Sequence, residues 1–316
     1  MKEPTDKQNQ GVHPQAGAIM TGADMLVQVL ADEGVKTVFG YSGGAVLPIY
    51  DAVFRFNQEH DSAMPLVVPA NEQGAAFMAA GYARASGRVG VALVTSGPGA
   101  TNTVTPVRDS MADSVPIVVI CGQVPTTSIG TDAFQEAPVP SIMGAVAKHV
   151  FLITDPEKLE ATVRTAFEIA RTGRPGPVVL DVPKDVQNWT GVFQGSGRLA
   201  VPGYRQRMTR LTASSLTQAA CADFFAALLA AKRPLIYAGG GVINAGATDA
   251  LREFSRQFQI PVVTTLMGIG AIDTTDPLSM RMLGMHGTAF ANYAVDDCDC
   301  LLAFGARFDE IGRAHV

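Results

Sequence analysis

The stretch Gly90–Asn102, which reads GVALVTSGPGATN, decides the fold class. Its first half is a continuous apolar run, which is typical of a strand that is buried on both faces of a parallel sheet. Its second half is a glycine-dense turn, after which a helical pattern runs from Gly99 to Asp113. A strand that passes through a glycine turn into a helix is the repeating unit of a doubly wound α/β domain.

The same unit recurs on both sides of this stretch. Thr21 is placed to cap a first helix that Gly34 ends, and residues 46–53 indicate a second helix. The remaining predicted elements are strands at Thr37–Phe39, Leu66–Val68, Gly90–Thr95, Pro116–Ile120 and Pro177–Asp181, and helices at Asn71–Ser86 and Asp155–Arg171. We therefore expect a parallel-sheet domain over residues 19–186, preceded by a disordered tail over residues 1–18.

A second α/β domain is predicted over residues 212–310. A stretch rich in Gly, Pro, Gln and Arg over residues 187–211 reads as the linker between the two domains. The predicted elements are helices at Ser214–Ala231, Ala247–Phe258 and Thr288–Val295, and strands at Leu235–Ala238, Pro261–Thr264 and Cys300–Phe304. Both domains are thus expected to be doubly wound parallel sheets.

Composition narrows the function classes. The chain of 316 residues has a net charge of −5 with interspersed signs, which gives no basic face for nucleic acid. No apolar run reaches the ~18 residues that a membrane span needs. The four cysteines match neither a metal-binding spacing nor a disulfide framework. We expect a cytoplasmic protein with no metal ligands of its own and with neither nucleic acid nor a membrane as a partner.

Two features of the first domain allow both a structural and a functional reading. Glu72 opens an alanine-rich helix, where an acid complements the helix dipole, but the small residues around it also allow a flat ligand to approach its carboxyl. The turn that contains Gly97 and Asn102 presents backbone N–H groups to an anion or polar ring, although turns of this composition are also purely structural.

The second domain has equally ambiguous motifs. Gly239, Gly240 and Gly241 follow a strand but lack the spacing of a dinucleotide fingerprint. The segments Met285–Thr288 and Gly305–Asp309 contain a lone histidine and an Arg near an Asp, which are commonly structural.

In combination these motifs resemble, in order and spacing, the catalytic large subunit of acetolactate synthases, which are thiamine diphosphate enzymes. The resemblance runs from about Ile19 to Asp309. The segments that carry it are Gly40–Ala45, Asn71–Gln73, Thr95–Asn102, Gly130–Glu136, Gly173–Val178, Asp181–Val186, Thr265–Gly268, Gly284–Thr288 and Gly305–Asp309.

The resemblance implies the condensation of two pyruvates to 2-acetolactate, or of pyruvate with 2-oxobutyrate, on the path to branched-chain amino acids. By this resemblance Glu72 is the carboxyl that hydrogen-bonds the aminopyrimidine of thiamine diphosphate, so that the cofactor can lose its thiazolium C2 proton. Gln135 and Lys184 are implied at the active-site mouth and substrate entrance, and Phe134 and Met285 along the substrate channel. Gly43, Gly97 and Asn102 are implied as cofactor contacts.

The family also binds FAD, without net redox chemistry in the main reaction. Arg174 is implied as an FAD contact, with its forked cation suited to a diphosphate. The other residues implied along the flavin are Gly239, Gly240, Gly241, Thr265, Leu266, Met267, His286, Gly305, Arg307 and Asp309. Mg²⁺ and the diphosphate are held in the family by a third domain whose signature this sequence does not contain. The family's active site forms between subunits, so the resemblance implies a homodimer or homotetramer and allows a regulatory small subunit.

The sequence departs from the family in three places. Ser42 stands where the family usually has proline, Pro106 and Arg108 interrupt an expected helix, and Ile311 stands where the family has an arginine. Because the resemblance stops at about residue 310, we expect residues 311–316 to be a non-native tail of sequencing-adapter origin. The chain as it stands is expected to be inactive.

Two alternatives remain from the sequence. One is another thiamine diphosphate enzyme, such as a pyruvate oxidase, an oxalyl or benzoylformate decarboxylase, or a glyoxylate carboligase. The other is a non-catalytic FAD-binding module.

Overall fold

The computed structural model describes residues 12–212 and 217–308, and these form two compact units. The first unit comprises the described residues up to 212, and the second begins at residue 217.

The first unit is built around a parallel sheet of six strands. The six strands of this sheet are β2 (Val38–Tyr41), β3 (Leu66–Val67), β4 (Gly90–Val94), β5 (Ile117–Gln123), β6 (His149–Leu152) and β7 (Val178–Pro183), and a separate pair consists of β1 (Ile19–Thr21) and β8 (Thr190–Val192). Its helices are α1 (Gly22–Asp32), α2 (Leu47–Glu59), α3 (Glu72–Ser86), α4 (Pro98–Thr101), α5 (Val104–Asp113), α6 (Val139–Gly144), α7 (Leu159–Arg171), α8 (Lys184–Asn188) and α9 (Tyr204–Thr212). The strand order is β3-β2-β4-β5-β7-β6, with every neighbouring pair parallel.

Alternation along the strands fills a core on each face of this sheet. In β4, Val91 and Leu93 join the core formed with α1, α2 and α7, whereas Ala92 and Val94 join the core formed with α3, α5 and α6. Helix α3 approaches β4 so closely that a Cβ on Gly90 would lie 2.0 Å from the carbonyl oxygen of Ala79. Helices therefore cover both faces, which confirms the predicted doubly wound α/β class.

The helix predicted over Gly99–Asp113 is two helices in the structure. Helix α4 ends at Thr101 and α5 begins at Val104, so the break precedes Pro106. Pro106 is the third residue of α5, where a backbone N–H has no intrahelical partner to lose. The expected interruption at Pro106 and Arg108 is therefore absent, and the break instead leaves Asn102 outside both helices.

The segment expected as an exposed linker over residues 187–211 packs in the first unit. Strand β8 pairs antiparallel with β1, from Ile19 opposite Val192 to Thr21 opposite Thr190. Phe193 is fully buried in the core beside α1 and α7. Short elements at a domain edge carry too few residues for periodicity to reveal them, which explains the difference.

The second unit has a four-stranded parallel sheet. Its strands are β9 (Pro234–Ala238), β10 (Val262–Thr264), β11 (Ser279–Met282) and β12 (Cys300–Phe304), in the order β11-β10-β9-β12. Its helices are α10 (Gln218–Ala230), α11 (Gly240–Asn244), α12 (Thr248–Phe258) and α13 (Ala289–Asp297). Ile236 and Ala238 pack with α10 and α12, whereas Leu235 and Tyr237 pack with α13. This sheet is therefore also covered on both faces.

Candidate functional site

All predicted site residues of the first unit except Arg174 follow the carboxyl ends of the parallel strands, at one edge of the sheet. Open α/β sheets bind ligands at this edge. Gly43 follows β2, Glu72 opens α3 after β3, Gly97 and Asn102 follow β4, Phe134 and Gln135 follow β5, and Lys184 follows β7.

Glu72 is held by the start of one helix and the end of another. It is the first residue of α3, which Asn71 caps by accepting a hydrogen bond of 2.8 Å from the backbone N–H of Gly74. The Nδ2 of Asn102 donates to Oε2 of Glu72 at 2.9 Å. The structure thus confirms that Glu72 opens a capped helix, whereas its contact with a ligand stays a prediction. Glu72 is half-buried.

Thr95, which lies against Gly43 and Gly99, was not among the predicted site residues. Its Oγ1 is buried and has no hydrogen-bond partner within the described residues. A Cβ on Gly43 would lie 2.6 Å from that Oγ1, and a Cβ on Gly99 would lie 3.6 Å from Oε1 of Glu72. Both glycines therefore make room for the Thr95 side chain, since a Cβ on Gly99 would also lie 2.7 Å from Cγ2 of Thr95. Its place within the glycine turn is the only sequence signal for Thr95.

Tyr50 interacts electrostatically with Glu72. Burial raises the pKa of the Tyr50 phenol well above its ordinary value, and the negative charge of Glu72 adds to that effect. The phenol donates a hydrogen bond of 3.1 Å to the carbonyl oxygen of Leu93. Tyr50 is therefore a neutral, fixed group beside the site.

The loop after β5 packs directly against the glycine turn. Gly97 has φ +55° and ψ −115°, which favours glycine, and a Cβ on it would lie 2.6 Å from the carbonyl oxygen of Gln135. The structure thus brings Gln135 against the turn that leads to Asn102. The neighbouring residue, Phe134, is 88% exposed, and its place in a substrate channel stays a prediction.

Gly97→Ala is expected to lower the free energy of unfolding of the first unit by about 2 kcal/mol, because alanine is strained at this φ and meets the Gln135 carbonyl. Urea unfolding followed by fluorescence of the single tryptophan, Trp189, measures the loss. Gly44→Ala is the matched control, since a Cβ on Gly44 meets nothing within 4 Å and its φ is not in the left-handed region. Equal urea midpoints for the two variants would contradict the prediction.

Lys184 lies at the same sheet edge but makes no hydrogen bond to the other predicted residues within the described part of the chain. It is the half-buried first residue of α8. The next residue, Asp185, accepts a hydrogen bond of 3.0 Å from the backbone N–H of Thr126 and thereby joins the end of β7 to the loop after β5. The proposed role of Lys184 at a substrate entrance stays a prediction.

Arg174 lies at the opposite edge of the sheet, just before β7. Its Nε donates to Oγ of Ser114 at 2.9 Å, and its guanidinium also donates to the carbonyl oxygens of Met111 and Ala112 at 2.5 and 3.1 Å. Arg174 therefore caps the C-terminal end of α5, a structural role that the sequence did not reveal. Contact with FAD stays a prediction for this residue.

The predicted residues of the second unit also follow the carboxyl ends of its strands. Gly239 and Gly241 pack against Gly305, and their backbone N–H groups donate to the carbonyl oxygens of Phe304 and Gly305, both at 2.9 Å. A Cβ on Gly240 would lie 2.9 Å from Cβ of Met267. The segments that follow β9, β10 and β12 therefore pack backbone against backbone at Gly239, Gly240, Gly241 and Gly305, which we call the glycine junction. Side chains larger than hydrogen would clash there.

The remaining predicted residues of this unit surround that junction. Thr265 caps the 3₁₀ turn Leu266–Gly268 by accepting from the backbone N–H of Gly268 at 3.1 Å, and Leu266 is 49% exposed. Met285 and His286 are exposed after β11, and Arg307 is exposed after β12. Asp309 lies outside the described residues, as do residues 311–316.

The part of the chain that the structure describes holds neither a cluster of metal ligands nor a helix that could cross a membrane. Within residues 12–212 and 217–308, no group of three or more His, Cys, Asp or Glu side chains is arranged to hold a metal ion. In the same ranges, no helix combines the length and apolarity that a bilayer crossing requires.

Comparison with known proteins defines the class. The family described as "Thiamine pyrophosphate enzyme, N-terminal TPP binding domain" matches residues 20–143, and "Thiamine pyrophosphate enzyme, central domain" matches residues 221–315. The two parallel-sheet units are therefore domains of a thiamine pyrophosphate enzyme.

Within that class the chain belongs to the acetolactate synthase large-subunit family, which confirms the resemblance found in its motifs. It is 47% identical over 289 residues to "Acetolactate synthase 2, chloroplastic" of Nicotiana tabacum, covering 92% of this chain and 42% of the relative. It is 48% identical over 305 residues to "Acetolactate synthase large subunit" of Parasynechococcus marenigrum, covering 95% of this chain and 48% of the relative. The chain thus spans less than half the length of these relatives.

Proposed function

We propose that this chain is part of an enzyme that condenses two pyruvates, or pyruvate and 2-oxobutyrate, to a 2-acetohydroxy acid with loss of carbon dioxide. The observation that carries the proposal is the hydrogen bond between Glu72 and Asn102 at the glycine turn that also contains the buried Thr95 hydroxyl. Family membership supports it, since the relatives are named acetolactate synthases.

Thiamine diphosphate fits the carboxyl edge of the first sheet. The site offers a carboxylate oxygen, Oε1 of Glu72, and a buried hydroxyl that has no partner within the described residues, Oγ1 of Thr95, which lies against Gly43 and Gly99. When bound, the cofactor supplies a stabilised carbanion at its thiazolium ring. Glu72 would hold or give a proton at Oε1 toward the aminopyrimidine nitrogen.

The neighbouring residues would fix that carboxyl. The Asn102 amide donates to Oε2, which leaves Oε1 for the ligand and holds the rotamer of the Glu72 side chain. Phe134 and Gln135, which are exposed in the loop after β5, would contact the 2-oxoacid, and Lys184 would attract its carboxylate.

We also propose FAD and Mg²⁺ as cofactors, but fewer features of the described residues support them. The glycine junction of Gly239, Gly241 and Gly305 keeps the carboxyl edge of the second sheet free of side chains at those positions, which suits a large planar ligand. The described residues contain no acidic cluster for Mg²⁺, so its ligands would come from the remaining length that the relatives have.

We infer 2-oxoacids as the small-molecule substrates and a homodimer or homotetramer as the assembly. The family resemblance supports the oligomer, because it implies that Glu72 faces a cofactor held by another subunit.

The test is an assay of the full-length protein that contains this chain. Purified with thiamine diphosphate, Mg²⁺ and FAD, it should convert pyruvate to acetolactate, which is measured as acetoin after acid treatment. The 316-residue chain alone is the matched control and should give no acetoin. A full-length protein that consumes pyruvate without forming acetolactate would overturn the proposal.

A further inference from the structure

The loop Ile129–Ala137, which carries Phe134 and Gln135, lies outside the sheet and the α-helices. Two of its non-glycine residues, Asp132 and Gln135, have φ of +59° and +58°. Such backbone conformations persist only where the surroundings impose them. The loop therefore needs a group that holds its backbone in place.

The carboxylate of Glu136 is that group. Its Oε1 accepts a hydrogen bond of 2.5 Å from the backbone N–H of Gly130, and its Oε2 accepts one of 3.0 Å from that of Ala133. One ionised side chain thus joins the start of the loop to its middle through charge-assisted bonds. The N–H of Gly130, followed by that of Ala133, lowers the pKa of Glu136, so its carboxylate form is favoured.

The far end of the loop is tied to the sheet. The buried side chain of Gln123, at the end of β5, donates a hydrogen bond of 3.1 Å to the carbonyl oxygen of Ala137. Between these two anchors, the carbonyl oxygen of Gln135 rests against Gly97. The conformation that Glu136 imposes therefore sets where Phe134 and Gln135 stand beside the turn that leads to Asn102.

We propose that Glu136 is a positioning residue, which shapes the loop that presents Phe134 and Gln135 to the 2-oxoacid. Glutamine at this position keeps the size but turns one acceptor into an N–H₂ group that would face a backbone N–H. Aspartate keeps both acceptors but is one methylene too short to span Gly130 and Ala133. The role in substrate binding rests on the proposed function, whereas the role in loop structure does not.

The loop role is tested by amide hydrogen exchange on the 316-residue chain. In Glu136→Gln, the amides of residues 130–136 should exchange about 10-fold faster than in the wild type, with the same far-ultraviolet circular dichroism. Asp155→Asn is the matched control, because Asp155 is another partly exposed carboxylate that accepts from a backbone N–H, at 3.1 Å from Glu157, in a different turn. It should leave exchange in residues 130–136 unchanged. Unchanged exchange in Glu136→Gln would overturn the proposal.

The substrate role is tested by kinetics of the full-length protein. Glu136→Gln should raise KM for pyruvate about 10-fold and lower kcat less than 3-fold, and Glu136→Asp should give an intermediate KM. An active wild type whose KM is unaffected by Glu136→Gln would overturn the positioning role. If instead the wild type forms no acetolactate, the proposed function is wrong. The hydrogen-exchange experiment still tests whether Glu136 holds the backbone of the loop.

Discussion

Glu72→Gln is expected to reduce acetolactate formation by the full-length protein about 100-fold or more, which is the usual scale for loss of a general acid–base group. Glutamine fills the same space, and its amide oxygen can still accept the hydrogen bond from Asn102. It cannot hold or release the proton at the position of Oε1. Initial rates of acetoin formation at saturating pyruvate measure the effect.

Two further variants test whether the loss of activity is specific to the carboxyl of Glu72. Glu59→Gln changes an exposed acid at the end of α2 and should leave the rate within 2-fold of the wild type. Asn102→Ala keeps the carboxylate but removes the amide that fixes it, and we expect a loss of about 10-fold. If Glu72→Gln retained more than half of the wild-type rate, the proposed role of this carboxyl would be wrong.

Asp181 is expected to lower the free energy of unfolding of the first unit as the pH rises from about 4 to about 7. This residue is fully buried in β7, with Oδ2 accepting 3.0 Å from Nε2 of Gln123 and Oδ1 buried without a partner within the described residues. Burial raises the pKa of Asp181 to about 7, and the Gln123 hydrogen bond opposes that rise only in part.

The sign follows from linkage. Below pH 4 the carboxyl is protonated in both the folded and the unfolded state. Between pH 4 and 7 the folded state keeps a proton that the unfolded state has lost, so each rise in pH disfavours folding. Above pH 7 the loss is complete and amounts to at most about 4 kcal/mol, because one pKa unit corresponds to about 1.4 kcal/mol.

Asp181→Asn replaces the carboxyl by an amide that does not ionise, so it removes the contribution of Asp181 to the pH dependence of stability. Other carboxylates of the chain have a lowered pKa and act in the opposite direction, so the measured quantity is the difference between the variant and the wild type. Urea unfolding at pH 5, 6, 7 and 8, followed by Trp189 fluorescence, should show the variant gaining stability relative to the wild type as the pH rises. Asp51→Asn, at an exposed position in α2, should run parallel to the wild type. Parallel curves for Asp181→Asn would contradict the prediction.

Much of the fold follows from local physics that the sequence displays. Thr21 and Asn71 cap helices where predicted, because each hydroxyl or amide side chain precedes an amphipathic or alanine-rich run. The continuous apolar strands identify a buried parallel sheet, and the rule about strand ends then places Glu72 and Asn102 at one edge. Their direct hydrogen bond depends on the break between α4 and α5, which periodicity does not show.

Other features depend on contacts between distant segments. Strands β1 and β8 pair although most of the sequence of the first unit lies between them. Arg174 likewise donates to carbonyl oxygens about 60 residues earlier in the chain, and periodicity reveals neither contact. Asp181 was detectable in principle, since a single acid inside the apolar run VVLDV has few routes to water. Thr95 carried no such signal, because threonine is common in strands and turns alike.

The antiparallel pairing of β1 with β8 places the first and the last strand of the first unit side by side, with Phe193 buried directly after them. New ends could be opened at a surface turn such as that following Gly87, if the segment up to residue 212 is kept when the original ends are joined. The unit is therefore suited to circular permutation and to insertion as a cassette into another protein, with little change in the order of its parallel sheet.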